Sequence, residues 1–197
     1  MEPLPVTFYA RDTVEVARDL IGKKLVRREG KNRISGVIIE TEAYRGEEDL
    51  ACHCRAGRTP RTEIMYGPAG KAYVYLIYGM YWMLNIVTEG DGNPGAVLIR
   101  AIEPLEGLEI IAERRTGQIR KTWTDGPGKL CRALNIKGDL NGSNICSAAG
   151  PLYITQGKVI SPATIQAGPR VGLEAVPEPW QSKAWRFMVN HQHLRGV

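Results

Sequence analysis

The sequence predicts an α+β fold with a largely antiparallel sheet in a single domain. Strand-like segments rich in β-branched and aromatic residues outnumber helical segments, and the two kinds do not alternate in the βαβ order of parallel sheets. A chain of 197 residues with 43% apolar content can bury one core but is short for two. Because no repeat and no Ser- or Pro-rich linker divides the sequence, we expect residues 1–197 to form one domain.

The beginning of the chain predicts one helix and two strands. Asp12-Thr13-Val14-Glu15 resembles a capping box and is followed by apolar residues and then Gly22. A short helix that packs on the sheet is expected there. Residues 24–28 and 33–44 are strand-like and flank the turn Glu29-Gly30-Lys31-Asn32.

The second of these strands carries two carboxylates. If the strand stays extended, Ile38, Glu40, Glu42 and Tyr44 lie on one face. Either glutamate alone is more simply explained as part of a structural ion pair. The two would lie roughly 6 to 7 Å apart, and both cannot face a dry pocket unless one finds a cation or a donor. We therefore expect one structural and one catalytic carboxylate.

Residues 72–87 predict a hairpin whose turn is aromatic. Two strands rich in aromatic and β-branched residues meet at Tyr78-Gly79-Met80, where the glycine permits a tight reversal. Tyrosines on strands usually pack into a core, and that explanation stays open here. Turns normally carry Asn, Asp or Ser, however, and an apolar wedge at a turn is what proteins use to enter a base stack.

The middle of the chain predicts a strand and two helices. Residues 96–102 form the strand, and residues 105–115 form a helix with Leu105, Leu108 and Ala112 on its apolar side. The turn Asp125-Gly126-Pro127-Gly128-Lys129 opens a short helix that ends at Leu134. Such a turn can present backbone N–H groups and a lysine to a phosphate.

The end of the chain predicts two more strands, at residues 152–155 and 186–189, with a proline-punctuated, loop-rich stretch between them. The start, residues 1–10, has neither the basic nor the apolar region of a secretory signal, and no apolar stretch is long enough to span a membrane. We therefore expect a soluble, intracellular protein without a membrane partner.

A metal site is not expected. Cys52-His53-Cys54 offers thiolate and imidazole, but adjacent ligands rarely close a tetrahedron and no second ligand pair is present unless His191 and His193 contribute. The four cysteines do not form a disulfide scaffold, so we expect reduced and mostly buried thiols.

A basic loop follows this segment. Arg55, Arg58 and Arg61 stand close together in the sequence, and the whole chain has a formal charge of +5. Such a run is usually just a solvated loop. Next to an aromatic wedge it favours contacts with backbone phosphates, so a polyanion such as nucleic acid is a plausible partner.

These residues together resemble one enzyme family. The order of motifs is similar to that of alkyladenine DNA glycosylases, also called 3-methyladenine or methylpurine DNA glycosylases, over nearly the whole chain. The matching segments are Glu40-Thr41-Glu42-Ala43-Tyr44, His53, Arg58-Thr59-Pro60-Arg61, Tyr73-Val74-Tyr75-Leu76-Ile77-Tyr78-Gly79-Met80-Tyr81, Asn85, Arg100-Ala101-Ile102-Glu103-Pro104-Leu105-Glu106-Gly107 and Gly126-Pro127-Gly128-Lys129-Leu130-Cys131.

The resemblance implies a monofunctional repair enzyme that flips a damaged purine and cuts its N-glycosidic bond. It implies a curved sheet with a projecting hairpin, no metal or cofactor, and action on double-stranded DNA containing damaged purines. We also expect a monomer. The expected compartment is the cytoplasm or nucleoid in a bacterium and the nucleus in a eukaryote.

The resemblance also implies roles for particular residues. Glu42 matches the general base, and Arg100 and the carbonyl of Val171 match positions that help it to hold a water. The implied base-binding residues are Tyr44, His53, Tyr75 and Asn85, of which Asn85 would crowd the amino group of normal guanine. Tyr78 with Met80 matches the group that fills the gap left by the flipped nucleotide. The implied DNA-backbone contacts are Arg58, Thr59, Arg61, Met65 and Lys129.

Two other classes stay open from the residues alone. A glycoside hydrolase also uses paired carboxylates and aromatic platforms, but Glu40 and Glu42 are poorly placed to act from opposite faces of a sugar. A non-catalytic nucleic-acid-binding domain would need the stacking tyrosines and the arginines but not Glu42. The function of Glu42 therefore distinguishes the alternatives.

Overall fold

The computed structural model describes residues 2–190 and confirms the α+β prediction. One sheet contains all eight strands, and every strand pair is antiparallel. The strands are β1 (Lys24–Glu29), β2 (Asn32–Arg45), β3 (Ala72–Ile77), β4 (Tyr81–Val87), β5 (Gly95–Glu106), β6 (Leu152–Thr155), β7 (Gln166–Gly168) and β8 (Arg186–Met188). The α-helices are α1 (Val6–Tyr9), α2 (Thr13–Asp19), α3 (Leu108–Arg114) and α4 (Pro127–Ala133).

The long strand β2 organises the sheet. The strand order is β3-β4-β5-β2-β1-β6, and β5 covers one edge of β2 from Ser35 to Arg45. The other edge is shared, because β1 pairs with the first half of β2 and β8 pairs with Glu40–Glu42. β7 then extends the sheet from β8. The two glutamates therefore lie in a central strand that has a partner on each side.

The pairing of β2 with β5 is irregular where the carboxylates stand. Glu40 pairs with Ala101 and Thr41 pairs with Ile99, which leaves Arg100 as an extra residue in β5. A second shift between Ile38 and Glu40 interrupts the regular extension of β2 that the sequence analysis assumed. Such bulges bend a strand and redirect a side chain. Here the bulge directs the Arg100 guanidinium to the two glutamates.

The first predicted helix is confirmed. The Asp12 side chain caps α2 by accepting from the amides of Val14 and Glu15 at 2.8 and 3.1 Å. The helix packs on the sheet as expected, since the Thr41 hydroxyl in β2 donates to the Ala17 carbonyl at 2.7 Å. Two short elements, α1 and β7, were not predicted.

The prediction of a helix at residues 105–115 was wrong about where the helix begins. The strand β5 continues through Leu105 to Glu106, because it remains paired with β2 as far as Ser35. Gly107 then adopts a φ of +71°, which is favourable only for glycine, and α3 begins after it. Leu105 is 44% exposed instead of lining the helix, and the buried residue of α3 is Ile111.

The predicted hairpin is confirmed, and its turn is strained. The Met80 amide donates to the Ile77 carbonyl at 3.1 Å, and φ is +53° at Tyr78 and +68° at Gly79. Two positive φ values match the twist of a hairpin, but for a residue other than glycine this conformation costs about 1 to 3 kcal/mol. Tyr78 is 82% exposed and Met80 is 65% exposed, so core packing does not explain either side chain.

Among residues 2–190, no helix has the length and apolar character needed to cross a membrane. Over the same range, no group of three or more His, Cys, Asp or Glu side chains is placed to hold a metal ion. His191 and His193 lie outside the described residues. The four cysteines are free thiols, and all except Cys146 are buried.

Candidate active site

The Glu42 carboxylate is fully buried and surrounded by donors. Its Oε1 accepts from the Val171 N–H at 2.7 Å and lies 3.3 Å from Arg100 Nη1. Its Oε2 accepts from the Tyr44 hydroxyl at 2.8 Å. A carboxylate has about four acceptor positions, so these contacts leave Oε2 able to accept once more.

The groups around Glu42 shift its pKa in opposite directions. Burial raises the pKa of Glu42 above its ordinary value, while Arg100, the Val171 N–H and the Tyr44 hydroxyl lower it. The net shift is upward. A carboxylate with a raised pKa takes up a proton more readily, which suits a general base. Burial and the neighbouring Glu42 also raise the pKa of Tyr44, which keeps its hydroxyl protonated as a donor.

Glu40 and Glu42 share one cation, as the sequence analysis required. The Arg100 Nε donates to Glu40 Oε1 at 3.0 Å, and Arg186 Nη1 donates to the same oxygen at 3.3 Å. Glu40 therefore holds the guanidinium that contacts Glu42. Arg186, which the sequence analysis did not single out, completes this arrangement from β8.

A cavity of about 210 Å³ is bounded by aromatic side chains, and its lining includes Tyr44 and Val171, the two residues that donate to Glu42. The His53 and Tyr75 rings lie 4.6 Å apart in an edge-to-face arrangement. Burial and the nearby Arg61 and Arg55 lower the pKa of His53 to about 4, so the imidazole is neutral near neutral pH. The lining of the cavity includes all four residues that were predicted to bind the base, namely Tyr44, His53, Tyr75 and Asn85. Val171 and Tyr78 also line it.

Two further residues that fix this site, besides Arg186, were not predicted from the sequence. Arg170 and Asp49 have fully buried side chains and form a two-point ion pair, with distances of 2.5 and 2.9 Å. The Arg170 guanidinium also lies 4.8 Å from the Tyr44 ring centre and donates to the Ala43 carbonyl at 2.9 Å. This ion pair therefore anchors the loop that contains Arg170 and Val171, and Val171 contacts Glu42. Their separation of 121 positions in the sequence hid the pairing.

The residues predicted to contact phosphates lie in different environments. Arg58 and Lys129 form exposed ion pairs with Glu63 and Asp125, respectively. Arg61 lies over the Tyr75 ring, with 5.0 Å between the guanidinium carbon and the ring centre.

The two other predicted phosphate contacts differ from these. The Thr59 amide donates a hydrogen bond to the Thr62 hydroxyl, and the two hydroxyl groups are also hydrogen-bonded to each other. These hydrogen bonds shape the basic loop. The Met65 side chain is only 1% exposed and touches the buried Cys54 sulfur at 3.4 Å. Met65 lines the cavity from its buried position, and its contact with a phosphate stays a prediction.

A buried carboxylate next to a tyrosine-lined cavity, with cations near its mouth and an exposed aromatic turn, is typical of enzymes that act on a nucleobase. The model of the family described as methylpurine-DNA glycosylase (MPG) matches residues 7–193. The chain belongs to this family. It is a DNA glycosylase, a hydrolase of N-glycosyl bonds that acts on DNA.

Similar proteins occur in archaea and bacteria. The chain is 51% identical to a protein of Methanocella arvoryzae over 95% of this chain and 92% of the relative. It is 45% identical to a protein of Myxococcus xanthus over 98% of this chain and 94% of the relative. It is also 45% identical to a protein of Desulfitobacterium hafniense over the full length of both. Each of these relatives is named, provisionally, a 3-methyladenine DNA glycosylase.

Proposed function

We propose that this glycosylase flips damaged purines out of duplex DNA and hydrolyses their N-glycosidic bond, leaving an abasic site. The proposed substrates are 3-methyladenine, 7-methylguanine, hypoxanthine and 1,N6-ethenoadenine. The observation that carries the proposal is the buried Glu42 carboxylate, which accepts from Tyr44 and Val171 in the wall of a ring-lined cavity of about 210 Å³. The names of the relatives support 3-methyladenine within this group.

In the proposed reaction, Glu42 removes a proton from a water that attacks the sugar carbon C1′. The remaining acceptor position on Oε2 suits this water, and the negative carboxylate favours the positive charge that develops on the sugar. Arg100 and Val171 hold the carboxylate in place through Oε1. The predicted contact of the Val171 carbonyl with the water remains part of this proposal.

The cavity would hold the flipped base between rings. Tyr44, His53 and Tyr75 supply flat surfaces, and stacking contributes about 1 to 3 kcal/mol per base. An alkylated purine that carries positive charge gains further from an aromatic face. Asn85 is 3% exposed, and its amide donates to the Tyr73 carbonyl at 3.3 Å, so its position is fixed. A fixed side chain at this position would crowd the amino group of normal guanine.

We expect Tyr78→Ser to weaken base flipping. Tyr78 lies at the hairpin turn and at the edge of the cavity, where its ring would fill the gap left by the flipped nucleotide. Flipping costs a few kcal/mol, and a serine hydroxyl cannot replace the lost stacking. The fluorescence change of ethenoadenine on flipping measures this effect in the DNA complex. An unchanged flipping signal in the variant, at equal DNA saturation, would rule out the wedge.

We expect Glu63→Gln to tighten binding to duplex DNA. In the free protein both Glu63 oxygens accept from Arg58 at 2.7 Å, so a phosphate must compete with a carboxylate for this arginine. Removing the competing charge should raise affinity and make the salt dependence steeper by about one phosphate contact. Fluorescence anisotropy at several salt concentrations measures both. The control is Glu15→Gln on α2, which changes the net charge equally at an exposed position away from the loop.

The protein is proposed to work as a monomeric single domain without a metal or a cofactor. Release of free base from a panel of duplexes, each with one damaged purine, tests the proposed substrates. Failure to release any of these bases, with binding to damaged duplex retained, would contradict the proposed substrates.

A further inference from the structure

A second depression, called here the hairpin groove, lies against the hairpin on the side of β4. It has a volume of about 720 Å³ and runs between residues 80–83 of the hairpin and the segment that contains α4. The smaller cavity beside Glu42 is instead lined by Tyr75, Ile77 and Tyr78 from the other side of the turn. The hairpin turn therefore stands between two depressions.

The charge of the hairpin groove is of one sign. Four of its lining residues are cationic and none is acidic: Arg115, Lys129, Arg132 and Lys137. Arg132 and Lys137 are exposed and form no ion pair with any residue from 2 to 190. Unneutralised cations along a groove are the usual binding surface for a nucleic-acid backbone.

The groove is also rigidly built. A Cβ on Gly128 would meet the Tyr81 ring at 3.0 Å, and one on Gly138 would meet the Trp82 ring at 2.7 Å. The absence of side chains at these glycines lets both rings pack directly against the main chain of the opposite wall. The rings therefore fix the distance between the hairpin and the segment that carries Arg132 and Lys137.

We propose that the hairpin groove binds the sugar-phosphate backbone of the undamaged strand, opposite the flipped nucleotide. This inference rests on the proposed function. If Tyr78 enters the base stack while the damaged nucleotide occupies the cavity on one side, the intact strand continues past the other side of the hairpin. The two free cations of the groove match the charge of that strand, and Lys129, which pairs with Asp125, lines the same groove.

The double variant Arg132→Gln with Lys137→Gln tests this assignment. The probe is DNA with a tetrahydrofuran abasic analogue, which has no glycosidic bond to cut, so binding is measured without catalysis. We expect the variant to bind the duplex about tenfold more weakly, with a salt slope smaller by about two phosphate contacts. Binding to the same strand without its complement should not change. Arg18→Gln with Lys31→Gln removes the same charge from exposed positions on α2 and in the β1–β2 turn, and it serves as the matched control.

Neutral methylphosphonate linkages then locate the contact. Placed in the undamaged strand opposite the analogue, they should weaken binding of the unaltered protein but not of the double variant. Equal loss of binding to single-stranded and duplex probes would assign the groove to the damaged strand and overturn the proposal. A loss of affinity no larger than that of the control variant would show that the groove does not bind DNA. Base release by the unaltered protein is measured separately, so failure of the proposed function is distinguishable from failure of this inference.

Discussion

Replacing Glu42 with Gln is expected to lower the rate of base release by about a hundredfold to ten-thousandfold, the usual contribution of a general base. The fold and DNA binding should persist. The amide oxygen can still accept from Val171 and Arg100, and the amide nitrogen can donate to the Tyr44 oxygen, so each contact of Oε1 and Oε2 keeps a partner. Single-turnover release of hypoxanthine or ethenoadenine, together with anisotropy measurement of binding, separates the two effects.

Glu40→Gln is the matched control for this variant. Glu40 is two residues away and contacts the same Arg100, and its own charge is the last of the causes that raise or lower the pKa of Glu42. We expect its loss of rate to be clearly smaller than that of Glu42→Gln. Equal losses of rate in the two variants would show that the total negative charge of Glu40 and Glu42 matters. Glu42 would then have no particular role as a base.

The rate should also depend on pH. Because burial raises the pKa of Glu42 above its ordinary value near 4.5, the active ionised form is lost as pH falls through this raised value. The acid limb of kcat/KM should therefore lie above 4.5. His53, with a pKa of about 4, titrates below that limb. A rate that stays constant down to the ordinary pKa of a glutamate would contradict the assignment.

Replacing Asp49 with Ala is expected to destabilise the protein by about 3 to 5 kcal/mol, the usual result of leaving a buried charge without its partner. Arg170 would retain its contacts with the Ala43 and Trp180 carbonyls but would lose both carboxylate oxygens. The midpoint of urea unfolding measures the change in the free energy of unfolding.

Asp125→Ala is the control for Asp49→Ala. It breaks an exposed ion pair with Lys129, and such pairs contribute about 0 to 1 kcal/mol. A similar small change for Asp49→Ala would mean that water or another group replaces the carboxylate around Arg170. In that case, the pair would not anchor the loop at Val171.

Local patterns predicted much of the fold. The Asp12 cap, the strands around the Gly30 turn and the hairpin at Gly79 depend on residues close in sequence, and all were found at the expected places. The extension of β5 to Glu106 was not predicted. Its cause is pairing with a strand about seventy residues earlier in the chain, which outweighs the helical pattern around Leu105.

The site was predictable to a similar extent. Residues with a distinctive motif, such as Tyr44 and Tyr75, could be named from the resemblance, and the structure brings them to one cavity. The bulge at Arg100 and the ion pair of Asp49 with Arg170 could not be foreseen, because they depend on register and on packing between distant segments. The burial of Met65 has the same origin, since it depends on packing in a cluster with residues such as Tyr73 and Val87.

Activation of the attacking water by Glu42 is the step on which the proposed function depends. The most direct measurement incubates the unaltered protein and Glu42→Gln with one duplex that contains hypoxanthine or ethenoadenine, and then treats the DNA with alkali. We expect strand cleavage at the lesion only after alkali, only with the unaltered protein, and with free base in solution. Equal cleavage with both proteins, at equal binding, would contradict this role of Glu42.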